Sequence, residues 1–188
     1  MADDPQSVSD TDAPPARVGV LTVSDRASAG RYEDRGGPAV VAHLGRRLAP
    51  GWGAERRTVA DDLDGIVAAL GDLVAHPCAL VVTTGGTGLG PRDVTPEATR
   101  RVCDRLIPGF GEAMRADSRA ETPLGILSRA EAGVAGRALV LNLPGSPRAI
   151  ATCLDAVLPA VPHLLAQIGA APLELRDADP RARDAHGG

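Results

Sequence analysis

Glycine and threonine residues follow a strongly apolar stretch near the middle of the 188-residue chain. The stretch 79–82 reads Ala-Leu-Val-Val, and residues 83–90 read Thr-Thr-Gly-Gly-Thr-Gly-Leu-Gly. Glycines let a backbone turn sharply and approach a ligand closely, while amide groups and the hydroxyls of Thr83, Thr84 and Thr87 can contact phosphate oxygens. The pattern predicts a phosphate-binding segment, which we call the glycine loop (residues 85–90). The alternative is a tight connection between a strand and a helix.

Carboxylates lie on either side of this loop in the sequence. Asp93 follows the loop closely, and a carboxylate beside a phosphate repels it unless a divalent cation lies between them. Asp93 therefore favours a metal-assisted phosphate site, with a helix-terminal carboxylate as the alternative. Asp61 and Asp62 follow another predicted strand, where either could cap the next helix. Spacing alone leaves the role of Asp61 open.

Two further polar segments follow predicted strands. Ser24, Asp25 and Arg26 begin one of them, and the other is the segment 142–147, in which Ser146 suits an N-cap and Pro147 the first helical position. Carboxyl ends of parallel strands share one edge of a sheet, where open α/β folds bind ligands. We therefore expect all three loops to form one site for a ligand with several phosphates, at least one of them bound to a metal ion.

Arginine supplies all 20 basic side chains, because the sequence contains no lysine. The phosphate loop GxxxxGK[ST] is therefore excluded, and residues 86–90 read GxGxG rather than the dinucleotide pattern GxGxxG. Arg26, Arg92 and Arg129 are the candidate phosphate clamps.

The spacing of apolar residues predicts alternating strands and helices. Strands are expected over 17–24, 55–59 and 78–84, the second nearer a sheet edge, and helices from Gly36, after Asp61, and from an N-cap at Thr95 to about Arg105. A further helix is expected over 112–119, a tight antiparallel hairpin over 130–142 around Gly136, and a last helix divided by Pro159 and Pro162. This order predicts an α/β fold with three αβα layers, a mostly parallel central sheet and a short antiparallel hairpin.

Composition limits the remaining possibilities. The net charge of −4 argues against nucleic acid or an anionic membrane as a partner, and no apolar run reaches the roughly 18 residues of a membrane span. Three separated cysteines without a CxxC motif indicate reduced thiols, and the acidic N-terminus is unlike a secretory signal, so we expect a cytoplasmic protein. Residues 1–16 are predicted to be disordered, 17–170 to form one domain and 171–188 to be a loose tail.

Several of these segments resemble one known family. Residues 23–30, followed by Asp34 and Gly37-Pro38, are similar to the opening of the molybdenum-cofactor biosynthesis family, and residues 83–88 and 92–99 to its central signature. That family includes molybdopterin adenylyltransferases (MogA), MoaB proteins and the G domains of plant Cnx-type proteins and gephyrin. The segments 107–112, 126–129 and 141–147 follow in the family's order, so the resemblance covers roughly residues 17–169.

The resemblance implies a MogA-like fold, a homotrimer and a reaction in which AMP passes from ATP to molybdopterin with release of pyrophosphate, with Mg²⁺ as cofactor. Asp61 and Asp93 match acidic residues that the family uses in catalysis and for the metal or nucleotide. The substrate- and nucleotide-binding residues that it implies are Ser24, Asp25, Thr84, Gly85, Gly86, Thr87, Gly88, Pro144, Gly145 and Ser146. Hand-over of the product to a molybdate-insertion protein would follow.

One departure leaves a second function open. Leu89-Gly90-Pro91 replaces a more basic segment expected in some adenylyltransferases, which makes the loop partly MoaB-like. The alternative is therefore a MoaB-type protein that binds or carries molybdopterin without catalysis. A pterin carbinolamine dehydratase is a weaker candidate, because no histidine lies in the three loops.

Overall fold

Six strands form one sheet in the computed structural model, which describes residues 15–176. The strands are β1 (Ala16–Val23), β2 (Trp52–Val59), β3 (Cys78–Thr84), β4 (Arg105–Leu106), β5 (Ala132–Ala135) and β6 (Ala138–Leu143), in the order β2-β1-β3-β6-β5-β4. The first three strands and β6 are parallel, whereas β5 is antiparallel to both β6 and β4. The prediction of a mostly parallel sheet with a hairpin at Gly136 is confirmed.

Helices cover both faces of this sheet. They are α1 (Asp25–Ser28), α2 (Gly36–Arg47), α3 (Leu63–Ala75), α4 (Thr95–Val102), α5 (Pro108–Glu121), α6 (Pro147–Val157) and α7 (Val161–Gln167). The core cluster on one face contains residues of α2, α5, α6 and α7, and the cluster on the other contains residues of α3 and α4. The molecule therefore has the three αβα layers that the sequence predicts.

The central strand β3 is buried along its whole length. Leu80 and Val82 belong to the core cluster on one face and Val81 to the cluster on the other, as the two-residue period of a strand requires. A strand buried on both faces has no solvent-facing position, which explains the unbroken apolar run over residues 79–82.

The chain changes direction across the sheet at β1. After β1 it forms β2 on one side, then crosses to form β3 on the other, so β1 lies between its two successors. The carboxyl ends of β1 and β3, at Val23 and Thr84, border the crevice where such sheets bind ligands.

Several boundaries differ from the sequence prediction. Helix α4 ends at Val102, and Arg105 and Leu106 pair with β5 instead of continuing the helix. Helix α5 begins at Pro108 rather than at residue 112. The N-cap of α4 is Val94, and Thr95 is the first residue of the helix rather than its predicted N-cap. The Thr95 hydroxyl donates to the carbonyl of Gly85, 2.9 Å away, instead of accepting from an amide of the helix.

The folded domain includes residues at both ends that the sequence assigned to a disordered segment or a loose tail. Ala16 is buried as the first residue of β1, and residues 1–14 lie outside the described range. The predicted loose tail is wrong for residues 171–176, because Leu173 is buried and Leu175 pairs with Leu48. Residues 177–188 also lie outside the described range.

One helical stretch of residues 15–176, Pro147–Gln167, is long and apolar enough to cross a membrane by length and composition. Ile150, Leu154 and Leu165 on this stretch are buried against the sheet, and a 3-10 turn over Leu158–Ala160 interrupts it. The division at Pro159 and Pro162 is thus confirmed. Core helices of soluble proteins can have the same length and composition, so the stretch is weak evidence for a membrane.

Candidate functional site

Three loops meet at the carboxyl ends of β1, β3 and β6. A Cβ atom on Gly85 would lie 2.3 Å from the carbonyl oxygen of Val23, so only glycine fits there, and its φ of +100° also favours glycine. The Gly85 amide donates to the carbonyl of Leu143, 3.1 Å away. Gly145 lies beside Gly85, since a Cβ atom added to Gly145 would come within 3.5 Å of the Gly85 Cα. The loops therefore form one continuous surface, as expected.

The carbonyl groups of the glycine loop are bonded to the rest of the protein. Within residues 15–176, the donors to the carbonyls of residues 85–88 come from two residues: Thr95 bonds those of Gly85 and Gly86, and Arg129 those of Thr87 and Gly88. The bonds join Thr95 Oγ1 to Gly85 O (2.9 Å), Thr95 N to Gly86 O (3.1 Å), Arg129 N to Thr87 O (3.0 Å) and Arg129 Nε to Gly88 O (2.7 Å).

The amide groups of the same peptides are left available. In a planar trans peptide, the N–H points away from the preceding C=O. The amides of Gly86, Thr87, Gly88 and Leu89 make no hydrogen bond within residues 15–176. Consecutive amides, each opposite a carbonyl that is bonded to the protein, can form a cradle for an anion. This geometry supports the predicted phosphate-binding role of the backbone.

The threonine hydroxyls before the loop have other partners. Thr84 Oγ1 donates to the carbonyl of Pro144 (2.9 Å), and the fully buried Thr83 accepts from Nδ2 of Asn142 (3.1 Å). The same Asn142 nitrogen donates to Thr99 (2.8 Å). Both hydroxyls thus join the strand ends to each other and to α4, and the hydroxyl–phosphate contacts of Thr83 and Thr84 stay predictions.

Asp93 folds back onto the glycine loop. Its Oδ2 accepts a hydrogen bond from the amide of Gly90 (2.8 Å), while its own amide donates to the carbonyl of Gly90 (3.0 Å). A Cβ atom on Gly88 would lie 2.8 Å from the same Oδ2. The carboxylate is thus held beside the loop, and Oδ1 makes no hydrogen bond within the described range.

Asp61 lies at the other side of the loop. Its Oδ2 accepts from the amide of Asp25 (2.7 Å), and a Cβ on Gly86 would lie 3.4 Å from Oδ1. The neighbouring Asp62 is the N-cap of α3, because its side chain accepts from the amide of Gly65 (2.9 Å). The structure thus identifies the helix cap and leaves Asp61 Oδ1 without a hydrogen bond in the part of the chain described.

Arg92 connects the loop after β3 to the loop after β1. Its Nε and Nη2 donate to the two carboxylate oxygens of Asp25, at 3.1 and 2.7 Å. The hydrogen bonds from Arg92 hold the pKa of Asp25 below its usual range, and the same pairing raises the pKa of Arg92. Ser24 caps the short helix α1 by accepting from the amide of Ala27 (3.3 Å).

The carboxylates Asp61 and Asp93 fit a cation only if a ligand completes its coordination. No group of three or more His, Cys, Asp or Glu side chains that could hold a metal ion exists among residues 15–176. Mg²⁺ commonly takes one or two protein carboxylates together with substrate phosphates and water. One free oxygen on each aspartate, beside a cradle for phosphate, fits that donor set.

Two cavities adjoin at Gly85 and Gly145, which line both. The first, of about 400 Å³, also includes Ser24, Asp34 and Tyr32. The second, of about 590 Å³, is lined by the remaining loop residues Gly86, Thr87, Gly88, Asp93, Pro144 and Ser146, and by apolar side chains of the segment 123–127. The two cavities therefore include the predicted binding residues apart from Asp25 and Asp61, which lie beside the glycine loop.

The three candidate phosphate clamps have different surroundings. Arg26 lines the first cavity and lies over the ring of Tyr32, 5.1 Å from its centroid, with Arg35 at 5.5 Å. Arg92 is paired with Asp25. Arg129 is directed at the backbone of the glycine loop, so its predicted role as a phosphate clamp is wrong.

Sequence reasoning did not identify some residues that build the site. Asp34 accepts from Thr22 Oγ1 and from the amide of Gly37, both at 3.0 Å, and so joins the end of β1 to the start of α2. Its signals in the sequence were its position before the helix and its place in the stretch that resembles the opening of the family. Leu124 and Leu127 form the apolar wall of the second cavity although both are at least half exposed, and their sequence pattern showed only an irregular link.

Comparison with known proteins agrees with this geometry. A family model described as "Probable molybdopterin binding domain" matches residues 19–163. The chain is 48% identical over 147 residues to a molybdopterin adenylyltransferase of Helicobacter pylori strain J99, covering 78% of this chain and 84% of that protein. The corresponding protein of Escherichia coli K12 is 46% identical over 142 residues, covering 75% and 73%.

Solved structures give the same result. The MoaB structure from Thermus thermophilus has a TM-score of 0.75 at 42% identity, covering 84% of this chain and 98% of its own. The Mog protein from Mycobacterium ulcerans also has a TM-score of 0.75, at 38% identity and with 81% and 99% coverage. The chain therefore belongs to the MogA/MoaB family of molybdenum-cofactor biosynthesis proteins.

Proposed function

We propose that this protein is a molybdopterin adenylyltransferase, which transfers AMP from ATP to molybdopterin and releases pyrophosphate. Relatives with that name are 46–48% identical over most of the chain. The observation that carries the proposal is the glycine loop, in which four consecutive amides without a hydrogen bond to residues 15–176 lie between the carboxylates of Asp61 and Asp93.

The proposed reaction needs no nucleophile from the protein, because the substrate supplies it. The terminal phosphate of molybdopterin attacks the α-phosphorus of ATP, the new P–O bond forms, and the bond to the β-phosphate breaks with release of pyrophosphate. The attacking phosphate is already ionised, so alignment and charge neutralisation are the main requirements. Two cavities that adjoin at Gly85 and Gly145 are suited to two substrates, and the loop amides are suited to phosphate oxygens.

Asp61 and Asp93 are the residues that would hold Mg²⁺ in this proposal. Each carboxylate is oriented by a backbone amide, from Asp25 and Gly90 respectively, and keeps one oxygen without a hydrogen bond in the described range. Bound Mg²⁺ would supply charge neutralisation between the two anionic substrates.

The proposal also includes a homotrimer in the cytoplasm, hand-over of the product to a molybdate-insertion protein, and no nucleic-acid or membrane partner. Supporting observations are the free thiols of Cys78, Cys103 and Cys153 and the acidic net charge. Light scattering of the purified protein tests the trimer, and the expected mass is three times that of the 19.2 kDa chain.

The deciding experiment mixes purified protein with ATP, Mg²⁺ and molybdopterin and follows pyrophosphate release. We expect turnover that requires both substrates and is abolished by EDTA and restored by added Mg²⁺. Titrations of each substrate run in parallel. Binding of both without pyrophosphate above background would reject the enzyme and leave the MoaB-type carrier.

A further inference from the structure

Arg129 reaches the glycine loop with both its backbone and its side chain. Its amide donates to Thr87 O (3.0 Å) and its Nε donates to Gly88 O (2.7 Å). One Nη donates to the carbonyl of Asp93 and the other to Oε1 of Glu97. Three of the five guanidinium N–H groups are thereby used by the protein itself, and the side chain is only 28% exposed. A guanidinium engaged in this way orients a backbone rather than clamping a phosphate.

The orientation matters because each carbonyl fixes the amide that follows it. Thr95 turns the carbonyls of Gly85 and Gly86 inward, and Arg129 does the same for Thr87 and Gly88. The planar trans peptide then directs the next amides, those of Gly88 and Leu89, the opposite way. We propose that Arg129 is a positioning residue that holds the second half of the glycine loop with these amides toward the substrate phosphates; this inference rests on the proposed function.

Glu97 fixes the guanidinium to helix α4. Its other oxygen, Oε2, is buried and has no hydrogen-bond partner within residues 15–176, so Arg129 is the cation that accompanies this carboxylate. Burial opposes ionisation of Glu97, but the hydrogen bond from Arg129 and nearby positive charge outweigh it and lower its pKa. The ionised pair contributes almost no net charge, so the attraction of the loop for phosphate comes from the oriented amides.

Lysine cannot reproduce this arrangement. Its single ammonium lacks the planar fork that reaches Gly88 O, Asp93 O and Glu97 Oε1 together, although it keeps the positive charge that neutralises Glu97. We therefore expect Arg129→Lys to remain folded, to bind ATP about 10-fold more weakly and to lose about 10- to 100-fold in kcat/KM, the scale associated with misplacing a catalytic group by about 1 Å.

The matched control is Arg100→Lys. Arg100 lies on α4, the helix that carries Glu97. Its Nε and Nη2 donate to Glu131 Oε2, at 3.1 and 2.7 Å, and not to the glycine loop. We expect ATP affinity and kcat/KM to change less than twofold in this variant. A second test variant, Glu97→Gln, keeps an acceptor for Arg129 but loses the charge, and should shift ATP affinity in the same direction by a smaller factor.

The ligand-free readout is ¹⁵N relaxation of the amides of Gly88 and Leu89. Wild type should show the order parameters of a rigid backbone, and both test variants should show lower values, whereas the control should match wild type. This measurement stays decisive if wild type binds ATP but releases no pyrophosphate, a result that would reject the proposed function alone. Unchanged loop order and ATP affinity in folded Arg129→Lys, or in Glu97→Gln if the lysine variant fails to fold, would overturn the positioning role.

Discussion

The backbone amide of Asp25 donates a 2.7 Å hydrogen bond to Oδ2 of Asp61, and the amide of Asp61 donates a 3.1 Å hydrogen bond to Oδ1 of Asp25. These residues follow β1 and β2, which are neighbours in the sheet, so the reciprocal pair joins two adjacent loops. Two carboxylates tolerate this proximity because each accepts from an amide and because Arg92 neutralises Asp25. Asp25 is therefore placed to orient Asp61. The resemblance implied a different role for Asp25, namely nucleotide binding.

The first prediction concerns this reciprocal pair. Asp25→Ala removes the acceptor for the Asp61 amide and frees Arg92, so we expect kcat for pyrophosphate release to fall about 10-fold through loss of orientation. The matched control is Asp72→Ala, which removes a carboxylate paired with Arg57 on the surface (3.0 Å), remote from the loops. Equal kcat values for the two variants in steady-state assays would contradict an orienting role.

Strand β3 and the hairpin show how much of the fold the sequence could predict. The apolar, β-branched run 79–82 favours a strand buried on both faces, and Gly136, with φ of +57°, marks the tight turn between β5 and β6. Strand β4 was missed because Arg105 and Leu106 are exposed and are defined only by their pairing with Val134 and Gly133. A two-residue strand leaves no periodic signal along the chain.

The site divides in the same way between local and long-range causes. The position of the glycine loop followed from its own residues, because φ values of +100° and +64° at Gly85 and Gly86 demand glycine. The direction of the side chains around the loop could not be predicted, because their hydrogen bonds are long-range. Arg129 donates to Gly88, 41 residues away in the sequence, and Thr84 donates to Pro144, 60 residues away. Polar residues of a loop predict that a site exists, but not which hydroxyls face the ligand.

The second prediction tests the packing at Gly85. Gly85→Ala places a methyl group 2.3 Å from the carbonyl oxygen of Val23 at a positive φ, so it should destabilise the fold by about 2–4 kcal/mol. Gly71→Ala is the control, because Gly71 lies inside α3 with open space at its Cβ, and it should stabilise by about 0.5–1 kcal/mol. Urea denaturation measures both, and a neutral Gly85→Ala would mean that the loops can separate.

The third prediction concerns alkaline pH. Burial, followed by the charges of Asp104 and Glu131, raises the pKa of the Cys103 thiol from 9.0 to about 12. The folded state therefore retains a proton that the unfolded state loses, so this contribution is complete below pH 9 and declines as the pH rises from 9 toward 12. Cys103→Ala should flatten the fall of unfolding free energy between pH 9 and 11 in urea titrations. The same slope in wild type and variant would refute the assignment.

The last prediction concerns Asp61 and Asp93, the two residues proposed to hold Mg²⁺. In Asp61→Asn and Asp93→Asn, the remaining side-chain oxygen can still accept from the amide of Asp25 or Gly90, so the loops keep their hydrogen bonds and only the charge is lost. We expect kcat to fall by about two to four orders of magnitude, the scale of losing a major charge-stabilising group, with unfolding free energies near wild type.

Asp62→Asn is the control for these substitutions. It removes the same charge one residue from Asp61, but Asp62 caps α3 through the amide of Gly65, and asparagine caps helices equally well. Its kcat should stay within twofold of wild type. If it loses as much activity as Asp61→Asn, then overall negative charge at this edge of the sheet matters rather than a specific carboxylate. If Asp93→Asn keeps full activity, the mechanism requires no acid on that side of the glycine loop.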